Sequence, residues 1–308
     1  MSQQIIIDKN SVVKKSERLI QARFKLNPIA LKLVSSLIST LKETDEPHKE
    51  YVFSIKNFGE LMGYSSHKLY QLLDEATEEL LSKPLKFPTE NGKGFRKFNW
   101  VSKAEYKYGE GAIVFRIDED LKPFLFAAKE KYLKYQIHNI LKLKSTYSIR
   151  LYEIFKDWFN RNERYKKTTK LCKEVELEWL RTTLDIPESY RFNDIKRLFI
   201  KAQEQFEQYT DLTFEFNEVK IGKKVNSINF VITDNSRKKL YSSVEEFVSF
   251  LKEKIINERI PGTDYFISDT GLLLDPEGIE YSAEEALIIF RELFNQYSGD
   301  IKFKEMFI

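Results

Sequence analysis

Near the start of the chain, apolar positions fall at helical spacing. Ile29, Leu33, Val34, Leu37, Ile38 and Leu41 recur every three or four residues and predict an amphipathic helix from about Asn27 to Lys42. The alternating "EYVFSI" that follows reads as a short strand. Ile55, Phe58, Leu61 and Met62 then share one face of a short helix, and Gly63 with Ser65 makes a turn in which the serine can cap the next helix. Leu69, Leu72, Leu73, Ala76 and Leu80 form the stripe of that next helix, which Pro84 stops. Beyond it, "LKF" and "FNWVSKAEYKYGEGAIVFRI" read as strands joined by loops at Gly92, Gly94, Gly109 and Gly111. Helix, strand, helix-turn-helix and β-hairpin, in that order, predict a winged helix.

The order recurs about 120 residues later, the signature of an internal repeat. "STYSIRLYEIFKDWF" carries Ile149, Tyr152, Ile154, Phe155 and Phe159 at helical spacing, and "VELEWLRTTL" supplies the first arm of a second helical hairpin. "DIPESY" is its turn, with Pro187 as breaker. The second arm places Phe192, Ile195, Phe199, Ala202, Phe206 and Tyr209 on one clean stripe. "LTFEFNEVKIGKKVNSINFVI" gives two strands around Gly222, a second wing.

The expected class is therefore α+β, two tandem winged-helix domains plus a small acidic C-terminal α/β extension. The expected boundaries are an N-terminal arm at 1–24, a first winged helix at 25–128, a basic linker at 129–144, a second winged helix at 145–234 and the acidic module at 235–308. In the module, Ser243 with Glu246 and Ser282 with Glu285 form capping boxes that start helices at about 243–258 and 282–297.

Composition narrows the class. The chain has 308 residues, 42% of them hydrophobic, with 11 Gly and 8 Pro, which suits globular domains and not disorder. No apolar run approaches the ~20 residues of a membrane span, and the N-terminus lacks a signal-peptide core, so a cytoplasmic protein with no membrane partner is expected. The single cysteine, Cys172, leaves no internal disulfide to form and agrees with a reducing compartment. Net charge is only +3, but its distribution is uneven. Residues 241–308 hold 6 Lys+Arg against 14 Asp+Glu, while residues 1–240 hold 44 against 33. A basic body with an acidic tail is the asymmetry expected when the body meets a polyanion.

Enzymatic readings find little support. His48, His67 and His138 include no pair at metal-ligand spacing, which excludes a rolling-circle nicking site. Glu218 and Lys220, downstream of Asp211, only faintly suggest a nuclease Glu-x-Lys, and no phosphate-binding loop is present. No catalytic residue, metal or cofactor is expected.

The segment "KYLKYQIHNILKLKSTYSIRLYEIFKDW" resembles the junction of iteron-binding plasmid replication initiator proteins of the tandem winged-helix type. "FNWVSKAEYKYGEGAIVFRIDEDLKPFL" is similar to their first wing. "YRFNDIKRLFIKAQEQFEQYTDLTFEFNEVKIGKKVNSINFVI" is similar to their second recognition helix and wing. The likeness spans roughly residues 10–234. It implies a non-enzymatic initiator that binds direct repeats in double-stranded plasmid origin DNA, helps open an AT-rich segment and recruits host helicase or initiator proteins. It also implies a monomer–dimer equilibrium in which dimers repress the protein's own gene. A two-winged-helix transcriptional regulator with no role in initiation is the alternative.

The second hairpin arm is the better equipped to read bases. Off its stripe it offers Arg191, Asn193, Lys196, Arg197 and Lys201, and Arg pairs bidentately with guanine, Asn with adenine. The first hairpin's second arm offers Ser66, His67, Lys68 and Gln71, then turns acidic at Asp74, Glu75, Glu78 and Glu79, so only its first turns should approach DNA. Lys93, Arg96 and Lys97, and Lys220, Lys223 and Lys224, are expected in wing loops as phosphate contacts. The acidic module should not bind DNA. It is expected to regulate or recruit, either folding back on the basic body or presenting Phe247, Val248, Leu251 and Ile255 to another protein.

Overall fold

The structure, a computed structural model, describes residues 4–64, 66–89, 93–125, 133–161, 169–235 and 244–297. The chain separates into two compact units, Met1–Asp234 and Asn235–Ile308.

The first unit opens with β1 (Val12–Lys15), α1 (Glu17–Gln21) and α2 (Pro28–Thr40). Asn27 caps α2 by accepting the Ala30 N–H on its Oδ1 at 2.8 Å, and Pro28 takes the first helical position, where its missing N–H costs nothing. β2 (Glu50–Ser54) leads into α3 (Ile55–Met62), which ends at Gly63 with φ +72°, a left-handed conformation suited to glycine. α4 (Ser66–Ser82) crosses close to α3, because Gly59 has no side chain: a Cβ there would lie 2.6 Å from Cδ2 of Leu69. Then come the hairpin β3 (Leu85–Pro88) and β4 (Phe95–Phe98), followed by β5 (Val101–Lys107), β6 (Ala112–Ile117) and α5 (Lys122–Leu125). The sheet order is β2-β6-β5, all antiparallel.

After β7 (Leu133–Gln136) and α6 (His138–Leu141), the same plan repeats in α7 (Thr146–Arg161), β8 (Lys170–Glu176), α8 (Leu177–Thr183), α9 (Phe192–Tyr209), β9 (Leu212–Ile221) and β10 (Lys224–Asp234). The second sheet runs β8-β10-β9. Each sheet thus places the strand before the helical hairpin beside the last wing strand, as a winged helix requires.

Four features depart from the sequence reading. Within the expected N-terminal arm, residues 12–15 form a strand of the body: β1 pairs antiparallel with β7, joining the N-terminus to the segment between the domains. That segment is no exposed basic linker over its described part, because Leu133, Tyr135, Ile137, Ile140, Leu141 and Leu143 are buried in one apolar core that runs from Ile7 to Ile232. The second hairpin's first arm is shorter than expected, since Val175 and Glu176 belong to β8 and the helix begins at Leu177. Finally, β3 and β4 form a two-stranded sheet of their own, so the first domain carries an extra hairpin ahead of its wing. Phe87 anchors that hairpin by stacking on Phe124 at 4.3 Å and meeting Phe98 edge-on at 5.6 Å.

The second unit consists of α10 (Val244–Lys254), three two-residue strands and α11 (Ala283–Tyr297). The strands, β11 (Glu258–Arg259), β12 (Phe266–Ile267) and β13 (Leu273–Leu274), form an antiparallel meander. Helix α10 stops short of the expected residue 258 because Asn257 turns left-handed, φ 58°, and gives its N–H to Ile267 across the sheet at 2.8 Å. The Ser282–Glu285 box is present: Glu285 N–H donates to Ser282 Oγ at 3.4 Å and Ser282 N–H to the Glu285 carboxylate at 3.1 Å. Ser243 of the other box lies outside the described residues. Phe247, Leu251 and Ile255 are fully buried against Phe290, Leu293 and Phe294, so they form this unit's core and not a face offered to a partner.

Candidate nucleic-acid interface

Helix α9 buries Ile195, Phe199, Ala202 and Phe206 and turns Asn193, Lys196, Arg197 and Lys201 outward. Its first turn is organised by Asp194, whose carboxylate accepts the Arg191 backbone N–H at 2.9 Å. Asp194 also meets Arg197 at 3.4 Å, a long contact that leaves the Arg197 side chain 75% exposed. Lys196 is less available: it donates to Glu218 on β9 at 2.9 Å, and Lys220 approaches the same carboxylate at 3.3 Å. The hydrogen bond from Lys196, with Lys220 adding to it, holds the Glu218 carboxyl below the usual carboxylate range. Of the five residues expected to read bases here, Asn193 and Arg197 therefore present the most open polar groups near the helix start, with Arg191 exposed at the cap and Lys201 two turns on.

The wing beside α9 turns at Gly222, φ +61°, with Lys220, Lys223 and Lys224 exposed around the tip. Two apolar residues join this surface. Ile200 is 42% exposed on the outward face of α9 and Ile221 is 69% exposed at the wing tip. The sequence reading passed over both, although Ile200 stands one residue off the buried stripe, a position that should have marked it. An exposed branched side chain in a major groove can meet a thymine methyl.

Helix α4 buries Leu69, Leu73, Ala76 and Leu80 and exposes Lys68 and Gln71 near its start. The Ser66 and His67 side chains lie outside the described residues, as does Ser65. Gln71 leans on Glu75 at 3.3 Å. Glu79 faces the fold instead of solvent alone: it accepts the Asn27 N–H at 2.6 Å and an ion pair from Lys83 at 2.6 Å. Lys93, Arg96 and Lys97 are exposed, yet they belong to the β3–β4 hairpin and not to the first wing. The wing itself, β5–β6, has its charges largely matched, with Lys103 bridging Glu50 at 2.9 Å and Glu105 at 2.6 Å.

A buried polar cluster ties the N-terminal strand and the first helices of the two winged helices together. Lys15 of β1 donates to Ser35 of α2 at 3.0 Å and to Glu153 of α7 at 2.5 Å, and Tyr135 of β7 donates to the same Glu153 oxygen at 2.7 Å. Arg150 donates to the carbonyls of Ile20 at 2.7 Å and Ala22 at 3.1 Å and more distantly to Thr183 at 3.4 Å, with its guanidinium 4.0 Å from the Phe24 ring centroid. Burial pulls the Arg150 guanidinium down to about 10 and lowers the Lys15 ammonium, Glu153 opposing both.

The acids that suggested a nuclease are engaged elsewhere. Asp211 accepts from Tyr152 at 2.9 Å and Lys156 at 2.6 Å, seven residues and about 23 Å of extended strand from Glu218. Among the described residues, no group of three or more His, Cys, Asp or Glu could hold a metal ion. No described helix is long and apolar enough to cross a membrane.

Two winged helices on one core, each presenting the start of its second hairpin helix, define a tandem winged-helix protein of the DNA-binding class. Residues 12–156 match the family described as Initiator Replication protein, WH1, and residues 176–232 match Initiator Rep protein, WH2. The chain belongs to this initiator replication protein family, as the resemblance at the junction and wings implied. A replication initiation protein of Escherichia coli is 28% identical over 191 residues, a stretch covering 61% of this chain and 58% of that protein. The crystal structure of Pi initiator protein in complex with iteron DNA matches with a TM-score of 0.61 at 16% identity, covering 74% of this chain and 99% of that one, a likeness of fold. The unit from Val244 onward lies beyond both family matches.

Proposed function

We propose that this chain is a sequence-specific double-stranded DNA-binding initiator of plasmid replication. It binds direct repeats in the origin, helps open the adjoining duplex and recruits host helicase or initiator proteins, acting in the cytoplasm without catalysis of its own. A monomer binds the repeats, and a dimer represses the gene. The observation that carries this reading is the α9 face: Asn193, Arg197 and Lys201 stand outward beside a lysine-tipped wing, in a family of replication initiators. Arg191, Asn193, Lys196, Arg197 and Lys201 are assigned to bases, with Ser66, His67, Lys68 and Gln71 as the weaker second reader. Lys93, Arg96, Lys97, Lys220, Lys223 and Lys224 are assigned to phosphates. The Lys196–Glu218 pair does not bar a DNA contact, because an exposed ion pair is worth only about 0–1 kcal/mol and can be exchanged for a phosphate or base.

Two recognition helices on one face of the duplex span about two helical turns, so repeats of about 20 bp are expected beside the gene. Footprinting of the flanking DNA should show protection at each repeat, and supercoiled plasmid carrying that DNA should stay unnicked in Mg²⁺. Protection confined to a promoter, with no repeat array and no plasmid maintenance, would favour the regulator reading. A nick lost in Glu218→Ala would revive the nuclease reading.

A further inference from the structure

The acidic C-terminal unit carries a groove that its own core does not fill. It is lined by Val244 and Val248 of α10, by Ala283, Ala286, Leu287 and Phe290 at α11, and by Leu272. The space is about 580 Å³. Leu287 is 42% exposed and Leu272 39%, so apolar surface remains at the rim after the core has formed. Among the described residues of the unit, 244–297, there are 12 Asp+Glu and 4 Lys+Arg, and the charged residues lining the groove itself are Glu245, Glu280 and one lysine, Lys252.

We infer that this groove docks a basic amphipathic helix of another protein. A cleft between two helices, with apolar walls, accepts leucine-type anchors at i, i+4 and i+7 of an entering helix. The charge selects the partner's sign: residues 244–297, of net −8, attract lysine and arginine on the helix's outer face and repel both nucleic acid and acidic segments. The inference deepens the recruitment step of the proposed function and rests on that reading for its assumption that the partner is a replication protein.

The probe is a labelled peptide of about 18 residues, five helical turns, with Leu at i, i+4, i+7 and i+11 and Lys on the opposite face; a second peptide carries Glu in place of Lys. Both are titrated against the full chain, without DNA, by fluorescence anisotropy. The Lys peptide should bind saturably and the Glu peptide should not. Leu287→Arg should weaken binding at least about tenfold, while Ile288→Arg, equally charged but outside the groove, should change it less than about twofold. Ile288 is 58% exposed and Leu287 is at the rim, so both variants should keep the wild-type circular dichroism spectrum and melting temperature. Equal losses in the two variants would show simple charge attraction and overturn the groove assignment, as would absent saturation or equal binding of the Glu peptide. Self-association of the chain that Leu287→Arg abolishes and Ile288→Arg preserves would make a second copy the occupant and overturn the basic-helix assignment. Duplex binding is measured on the same preparations, so failure of the initiator reading is seen separately from failure of the groove.

Discussion

Lys15 and Glu153 meet at 2.5 Å with their side chains 2% and 1% exposed, although 137 residues separate them in the chain. The pair joins the N-terminal strand to the first helix of the second winged helix, and through Ser35 to the first helix of the first. A charge pair this deep is costly to desolvate and is held by the extra hydrogen bonds from Tyr135 and to Ser35.

Removing one partner leaves the other charge buried alone. Glu153→Ala should lower unfolding free energy by about 3–5 kcal/mol, and the double change Lys15→Met with Glu153→Leu should recover most of it. Urea unfolding midpoints check this. A loss under about 1 kcal/mol in the single variant would mean that water reaches the site.

Arg197→Ala should cost about 1–3 kcal/mol on the specific repeat and relax preference at one base position. Lys223→Ala at the wing tip should weaken specific and random duplexes alike and reduce the salt slope by about one unit. Affinities measured on both duplexes across a salt series separate the two roles. Equal losses for Arg197→Ala on both would assign it to phosphate.

Lys32 of α2 is 3% exposed, and burial alone pulls its ammonium down to about 8 from 10.5. Between those values the unfolded chain binds more protons than the native one, so this residue makes stability rise with pH through that window. Below pH 8 the charged lysine costs the fold on the order of 3 kcal/mol. Lys32→Met should therefore stabilise the protein at pH 7 and have little effect near pH 10.5. Unfolding of both chains at the two pH values tests the difference, and a gain independent of pH would point to packing instead.

A chain ending at Leu240 lacks residues 241–308, whose net charge of −8 phosphates would repel. It should bind the repeat at least as tightly as the full chain. Loss of binding with an unchanged circular dichroism spectrum of the remaining body would place those residues in the DNA interface.

Periodicity made the helices and their order readable, because an apolar stripe such as Ile195, Phe199, Ala202 and Phe206 is a property of neighbours three and four apart. The repeat of helix, strand, hairpin and wing was legible for the same reason, and so was the unequal charge of the two units. The β1–β7 pairing was not, since Val12 and Gln136 are brought together across more than a hundred residues and short strands carry little local signal. Nor could the spacing of basic residues distinguish Lys196, tied to Glu218, from Arg197, left open: which acid a lysine meets depends on the strand packed beside its helix. The same limit made Phe247, Leu251 and Ile255 look like a docking face. A stripe states that a helix has a buried side, and only the packing of α11 against it decided what buries it.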